Sequence, residues 1–260
     1  MPQLWSDKRL QLTDDTNSPV IFIPGGTAGV GLAVATALLS SGYRVAIAGR
    51  SKTDTSPSSR NLHYYQCDTR KADEIRATLD TISTSWAPVS AIVNCVGPFR
   101  RIPLQAEQVE NWRDTIESNL TSAFSLYQQA VPYLISHQRS RIISFAVAKA
   151  DQLLGRTHIT AYYCAKAALI ALTRAYAVNY AKNGLTANII SLGDVDSKDD
   201  EKREDRATDK REQKWPSLKI PAGRLGKTSE VASLVSYLLK QDAQYINGAI
   251  IDTSGAWSFA

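Results

Sequence analysis

From residue 19 onward, short apolar runs alternate with stretches of helical periodicity. VIFI (20–23), VAIAG (45–49), LHYYQC (62–67), AIVNCV (91–96), RIISFAV (141–147), ANIISL (187–192) and GAIID (248–252) have the length and composition of strands. Between them the apolar positions recur at helical spacing over 30–41, 72–83, about 105–137, 160–182 and 229–240. The strand runs are continuously apolar, which predicts burial on both faces. Strands that alternate with helices predict βαβ units, and right-handed crossovers then give an α/β, doubly wound parallel sheet of about seven strands with helices on both faces. Such a sheet binds ligands at the carboxyl ends of its strands.

Two stretches depart from this rhythm. Residues 1–18 are polar and read as an N-terminal extension, leaving 19–260 as a single domain. Residues 198–214, KDDEKREDRATDKREQK, hold seven Lys/Arg and seven Asp/Glu. Such a run is either a solvated helix face laced with i,i+4 pairs or a lid over a substrate. A length of 260 residues with 43% hydrophobic and 21% charged positions suits one α/β domain. Cys67, Cys95 and Cys164 lie within apparent strands or helices without metal-ligand spacing, and read as reduced, buried thiols in a cytoplasmic protein with no metal. The start lacks the apolar core of a signal peptide, and no run approaches the ~20 apolar residues of a membrane span. The net charge of +5 is scattered rather than gathered into an aromatic-interleaved stripe, so neither nucleic acid nor membrane is an expected partner. A small-molecule substrate is.

The first strand runs directly into Pro24-Gly25-Gly26-Thr27-Ala28-Gly29-Val30-Gly31, where a helix begins. Glycines there let backbone approach a pyrophosphate, and the helix N-terminus offers amide donors and partial positive charge. Gly25, Thr27, Gly29, Val30 and Gly31 are therefore candidate cofactor-binding residues of a Rossmann-type site. The second strand ends at Gly49, followed by Arg50 and Ser51 rather than by the acidic residue that holds an NAD ribose. An arginine fork suits a 2′-phosphate, which points to NADP(H). Tyr162 and Lys166 lie four apart, on one helical face. A phenol has a pKa near 10, and an adjacent ammonium favours the phenolate, making a proton donor for a carbonyl oxygen.

Taken in order, the glycine loop, the end of the second strand, Asp68, Asn94-Cys95-Val96-Gly97, Asn119 in SNLT, the Tyr162/Lys166 pair and Leu192-Gly193-Asp194-Val195-Asp196-Ser197 resemble the classical short-chain dehydrogenase/reductase family. The resemblance implies that Asp68 sits by the adenine, that Asn94 and Gly97 flank the cofactor ribose, and that Gly193 and Ser197 meet the nicotinamide end. It makes Tyr162 the general acid/base, Lys166 its tuning partner and ribose ligand, and Asn119 the anchor of a water in the proton relay. It also implies a homotetramer or homodimer built on the helices near 105–137 and 160–182. Pro24, Cys95 and Leu192 depart from the family pattern, and Ala146 or Val147 occupies the strand end where a carbonyl-polarising serine is expected. Losing one such donor costs about 10²–10³ in rate. Asp151 in the following loop is a candidate substitute, and Phe99 and Arg100 are candidate substrate contacts. The expected activity is NADPH-dependent reduction of a ketone to an alcohol. Reduction of a C=N or C=C bond in a flat heterocycle, as in pteridine reductases, and a non-catalytic cofactor-binding sensor stand as alternatives.

Overall fold

The computed structural model describes residues 19–51, 60–136, 139–196 and 220–259. The extension at 1–18, Ser197 and the charged 198–214 run lie outside the described residues. The strands are β1 (Val20–Pro24), β2 (Arg44–Gly49), β3 (Leu62–Gln66), β4 (Val89–Asn94), β5 (Arg141–Val147), β6 (Thr186–Leu192), β7 (Val195–Asp196), β8 (Gly226–Lys227) and β9 (Ile250–Thr253). The α-helices are α1 (Gly29–Ser40), α2 (Ala72–Ser85), α3 (Val109–Ile116), α4 (Ser122–Leu134), α5 (Thr160–Asn179) and α6 (Thr228–Leu238).

Seven strands form one sheet in the order β3-β2-β1-β4-β5-β6-β9, and every pairing within it is parallel. A short parallel pair, β7 with β8, stands apart and was not foreseen from the sequence. The unbroken apolarity of the strands now has its reason. Val20 and Phe22 pack with Ile75 of α2, Leu126 of α4 and Leu169 of α5, while Ile21 and Ile23 pack on the opposite face with Val34 of α1 and Val231 of α6. Successive strand residues point to opposite faces, so a sheet covered on both sides must be apolar at every position. The chain order reverses between β1 and β4, and this switch point opens a crevice at their carboxyl ends.

Three expectations need correction. The helix expected over 105–137 is broken: Leu104–Ala106 is a 3-10 turn, Glu107 and Gln108 are extended, and a π-helical turn at Glu117–Thr121 joins α3 to α4. The strand expected over 91–96 stops at Asn94, whose side-chain oxygen accepts the Val96 amide at 3.1 Å and turns the chain out of the sheet. Finally, only Cys67 is buried outright; Cys95 is half-buried, and Cys164 is exposed on the outer side of α5 between two buried neighbours.

Candidate active site

The crevice is a cleft of about 590 Å³. Its floor is the β1–α1 turn. Gly25 has φ of +77°, and a Cβ there would lie 2.7 Å from the Cys95 carbonyl carbon. A Cβ on Gly31 would lie 2.2 Å from the Gly25 carbonyl oxygen, so α1 can start this close to the loop only without a side chain. The N-terminus of α1 has no side-chain cap and no acidic residue in its first turn. Thr27, Gly29 and Val30 line the cleft around it. A helix N-terminus without a side-chain cap, its dipole facing a glycine-lined cavity, fits a pyrophosphate.

One end of the cleft is lined by Arg50 and Ser51 on one side and by Asp68, Thr69 and Arg70 on the other. Arg70 was not foreseen. Its guanidinium grips both Asp68 oxygens, with Nη2 to Oδ2 at 2.6 Å, and lowers the Asp68 pKa; the charge of Arg50 acts in the same direction. The sequence signal was present in the two-residue spacing of Asp68 and Arg70, but nothing in it says that the arginine turns back onto the carboxylate.

At the other end stand Tyr162 and Lys166 of α5. Lys166 is 3% exposed, and its Nζ lies 5.4 Å from the centroid of the Tyr162 ring. Burial lowers its pKa from 10.5 to about 8. Gly97 leaves room for it, since a Cβ there would lie 2.8 Å from Nζ and 3.1 Å from the Asn119 Oδ1. Asn119, on the π-helical turn, donates through Nδ2 to the carbonyls of Pro98 and Thr115, both at 3.1 Å. Those two acceptors fix the amide orientation and leave Oδ1 buried, toward Gly97 and Lys166, with no hydrogen-bond partner among the described residues. A buried acceptor beside a buried ammonium is a place for a bridging water or ligand hydroxyl.

Other expected site residues lie differently. Asn94 is buried behind the cleft wall, where it holds the Val96 amide and donates to the Tyr127 hydroxyl at 3.3 Å. Gly193 is not among the lining residues; a Cβ there would meet the Ser254 Cα at 2.7 Å, so its smallness serves the approach of β6 to the β9 exit. Phe99 packs edge-on against Tyr162, with centroids 5.0 Å apart and rings at 90°, is partly exposed, and is not among the residues that line the cleft. Arg100 pairs with Asp114 of α3 at 3.0 Å. Val147 is half-buried and packs beside Ala146 and Tyr163, and Asp151 is exposed on a 3-10 turn; neither lines the cleft. Ser144, the nearest serine, faces away, bonding Tyr127 Oη at 2.7 Å and Thr173 Oγ1 at 2.9 Å.

Tyr163, next to Tyr162, has a separate task. Its hydroxyl donates to the Lys149 carbonyl and accepts the Leu154 amide at 2.9 Å, pinning the loop after β5. Lys149 and Arg156 of that loop flank Trp257, at 5.1 and 5.2 Å from its ring.

A doubly wound sheet with a glycine cradle at its switch point, and a half-buried tyrosine beside a buried lysine at the other end of the cleft, defines a dinucleotide-type oxidoreductase. The sequence matches the family described as enoyl-(acyl carrier protein) reductase over residues 25–256. It is 30% identical over 235 residues to the 3-oxoacyl-[acyl-carrier-protein] reductase MabA of Mycobacterium tuberculosis, covering 90% of this chain and 91% of that one. It is also 30% identical over 246 residues to the 3-oxoacyl-[acyl-carrier-protein] reductase FabG of Vibrio cholerae, covering 91% and 96%. The solved structure of the aldohexose dehydrogenase of Thermoplasma acidophilum superimposes with a TM-score of 0.82 at 25% identity, covering 95% of this chain and 96% of that one. The chain belongs to the short-chain dehydrogenase/reductase family, and it is an oxidoreductase.

Proposed function

We propose that this protein reduces a ketone to a secondary alcohol with NADPH, the ketone being carried on a small or acyl-type substrate. The observation that carries the proposal is the Tyr162–Lys166–Asn119 group at one end of a cleft whose floor is an uncapped helix N-terminus. When bound, the reduced nicotinamide supplies the hydride. Tyr162 holds the substrate carbonyl oxygen and gives it a proton as negative charge develops there. Lys166, as ammonium, lowers the cost of the phenolate that remains and binds the ribose on its own side of the cleft. Asn119 Oδ1 holds a water against Lys166, through which Tyr162 regains its proton. Val147 has no donor to add, so oxyanion stabilisation rests on Tyr162. Arg50 and Ser51, with glycine rather than a carboxylate at 49, favour the 2′-phosphate of NADP(H). The two relatives at 30% identity act on 3-oxoacyl groups, which supports an acyl-type ketone here.

Phe99 meets Tyr162 edge to face and keeps an exposed ring surface, so reduction of a flat heterocycle stands as the second reading, separated by running dihydropterins beside the ketones. We further propose that the chain acts as a homodimer or homotetramer. Among the described residues no helix is long and apolar enough to cross a membrane.

The decisive variant is Tyr162→Phe, assayed against a panel of 3-oxoacyl thioesters and simple ketones. NADPH affinity is expected to persist while turnover drops by at least about 10³. Turnover equal to that of the parent overturns the mechanism.

A further inference from the structure

The chain leaving β2 is held from behind by the edge strand β3. Strand pairing sets Ile47 opposite Tyr64 and Gly49 opposite Gln66, so these two β3 residues, two apart, share one face of that strand. The Gly49 carbonyl accepts the Cys67 amide at 2.9 Å and lies 3.1 Å from the Tyr64 hydroxyl, whose single proton points to the nearer Ser51 carbonyl. Next along, the Arg50 carbonyl accepts Gln66 Nε2 at 3.0 Å. The Ser51 carbonyl, in turn, lies 2.5 Å from the Tyr64 hydroxyl. Three successive carbonyls are thus turned toward β3, while the same three residues line the cleft. Neither Tyr64 nor Gln66 lines it.

This arrangement has an electrostatic consequence. A carbonyl oxygen is the negative end of the peptide dipole, and one turned into the cleft would repel a phosphate dianion. The β3 donors keep all three away from it, and Arg70 neutralises Asp68 on the facing wall. A strand exit fixed before binding also spares the ordering cost that a loose one incurs on ligation.

We propose that Tyr64 and Gln66 are positioning residues for cofactor choice: by holding the Ser51 and Arg50 carbonyls against β3, where the Cys67 amide holds that of Gly49, they make this wall receptive to the adenosine 2′-phosphate. The proposal rests on the NADP(H) assignment made above. Neither residue belongs to a dinucleotide-binding motif. Their effect is confined to one phosphate group, so it separates from general stability.

The test is calorimetric titration of the intact protein with 2′,5′-ADP and, in parallel, with 5′-AMP. The parent, Tyr64→Phe, Gln66→Met, the double variant and Arg50→Ala are compared. Loss of the two donors is expected to weaken 2′,5′-ADP about tenfold or more in the double variant. Affinity for 5′-AMP, which lacks the 2′-phosphate, is expected to stay at the parent value, and this also reports an intact fold. If the parent and Arg50→Ala bind both probes alike, the NADP(H) assignment falls and the proposal falls with it. If Arg50→Ala loses the preference but the double variant keeps it, the assignment stands and the proposal is overturned. Equal weakening of both probes in the double variant also overturns it, because Tyr64 and Gln66 then serve only the fold.

Discussion

Lys166 shows how one buried charge links chemistry to stability. Its burial lowers its pKa to about 8 from 10.5, so the unfolded chain binds more protons than the folded one between those values. The residue therefore destabilises the fold at neutral pH, by roughly 3 kcal/mol if the whole shift is counted, and this cost fades as pH rises from about 8 toward the unfolded value. Lys166→Met is expected to raise the Tm of the ligand-free protein at pH 7 while eliminating ketone reduction; an unchanged or lower Tm contradicts the assignment of a buried cost. Catalysis has the opposite pH dependence. The ammonium is the form that favours the phenolate, so kcat/KM for reduction is expected to decline above about pH 8. A pH–rate profile flat to pH 10 rules out a titrating Lys166. The four-residue spacing of Tyr162 and Lys166 was legible because helix geometry fixes which side chains meet. The engagement of Arg100 by Asp114 was not, because partners 14 positions apart meet only after α3 has docked.

At the scale of elements, the two-sided apolarity of the strands specified the sheet, but the breaks in the elements came from side chains bonding backbone. Asn94 ends β4, and the same residue opens a buried polar chain that runs through Tyr127 and Ser144 to Thr173 of α5. Tyr127 is fully buried, and burial pushes its pKa up to about 12, so its hydroxyl stays neutral throughout the working range. Removing that hydroxyl in Tyr127→Phe leaves the buried Asn94 amide without this acceptor. The expected loss is about 1–3 kcal/mol of unfolding free energy, measured by urea denaturation. A variant as stable as the parent shows that the chain contributes nothing net. Gly31→Ala makes a sharper case, since its Cβ has to displace the Gly25 carbonyl. Nucleotide affinity is expected to fall along with stability, because α1 must withdraw from the turn that it closes. The glycine pattern announced this element; the contact that makes Gly31 indispensable is visible only in three dimensions.

Over the whole molecule, a doubly wound parallel sheet with its ligand site at the carboxyl ends of the strands follows from alternating runs and the handedness of crossovers, whereas the order of the strands does not. What the pattern leaves open is which outward faces stay bare. Phe124 of α4 is 44% exposed and Val178 of α5 81% exposed, on the two helices that the family resemblance makes interfaces. Light scattering is therefore expected to return a multiple of 28.5 kDa, and Phe124→Glu with Val178→Glu to reduce it toward one subunit. A monomeric parent overturns the proposed assembly. The clamp on Trp257 has a more practical bearing. The emission of an indole responds to the charges beside it, so this ring is a built-in optical reporter on the loop that leaves β5. Substrate that moves Lys149 or Arg156 should register as a change in tryptophan emission. The same change should vanish in Trp257→Phe, which makes loop motion measurable without a label and before any turnover is detected.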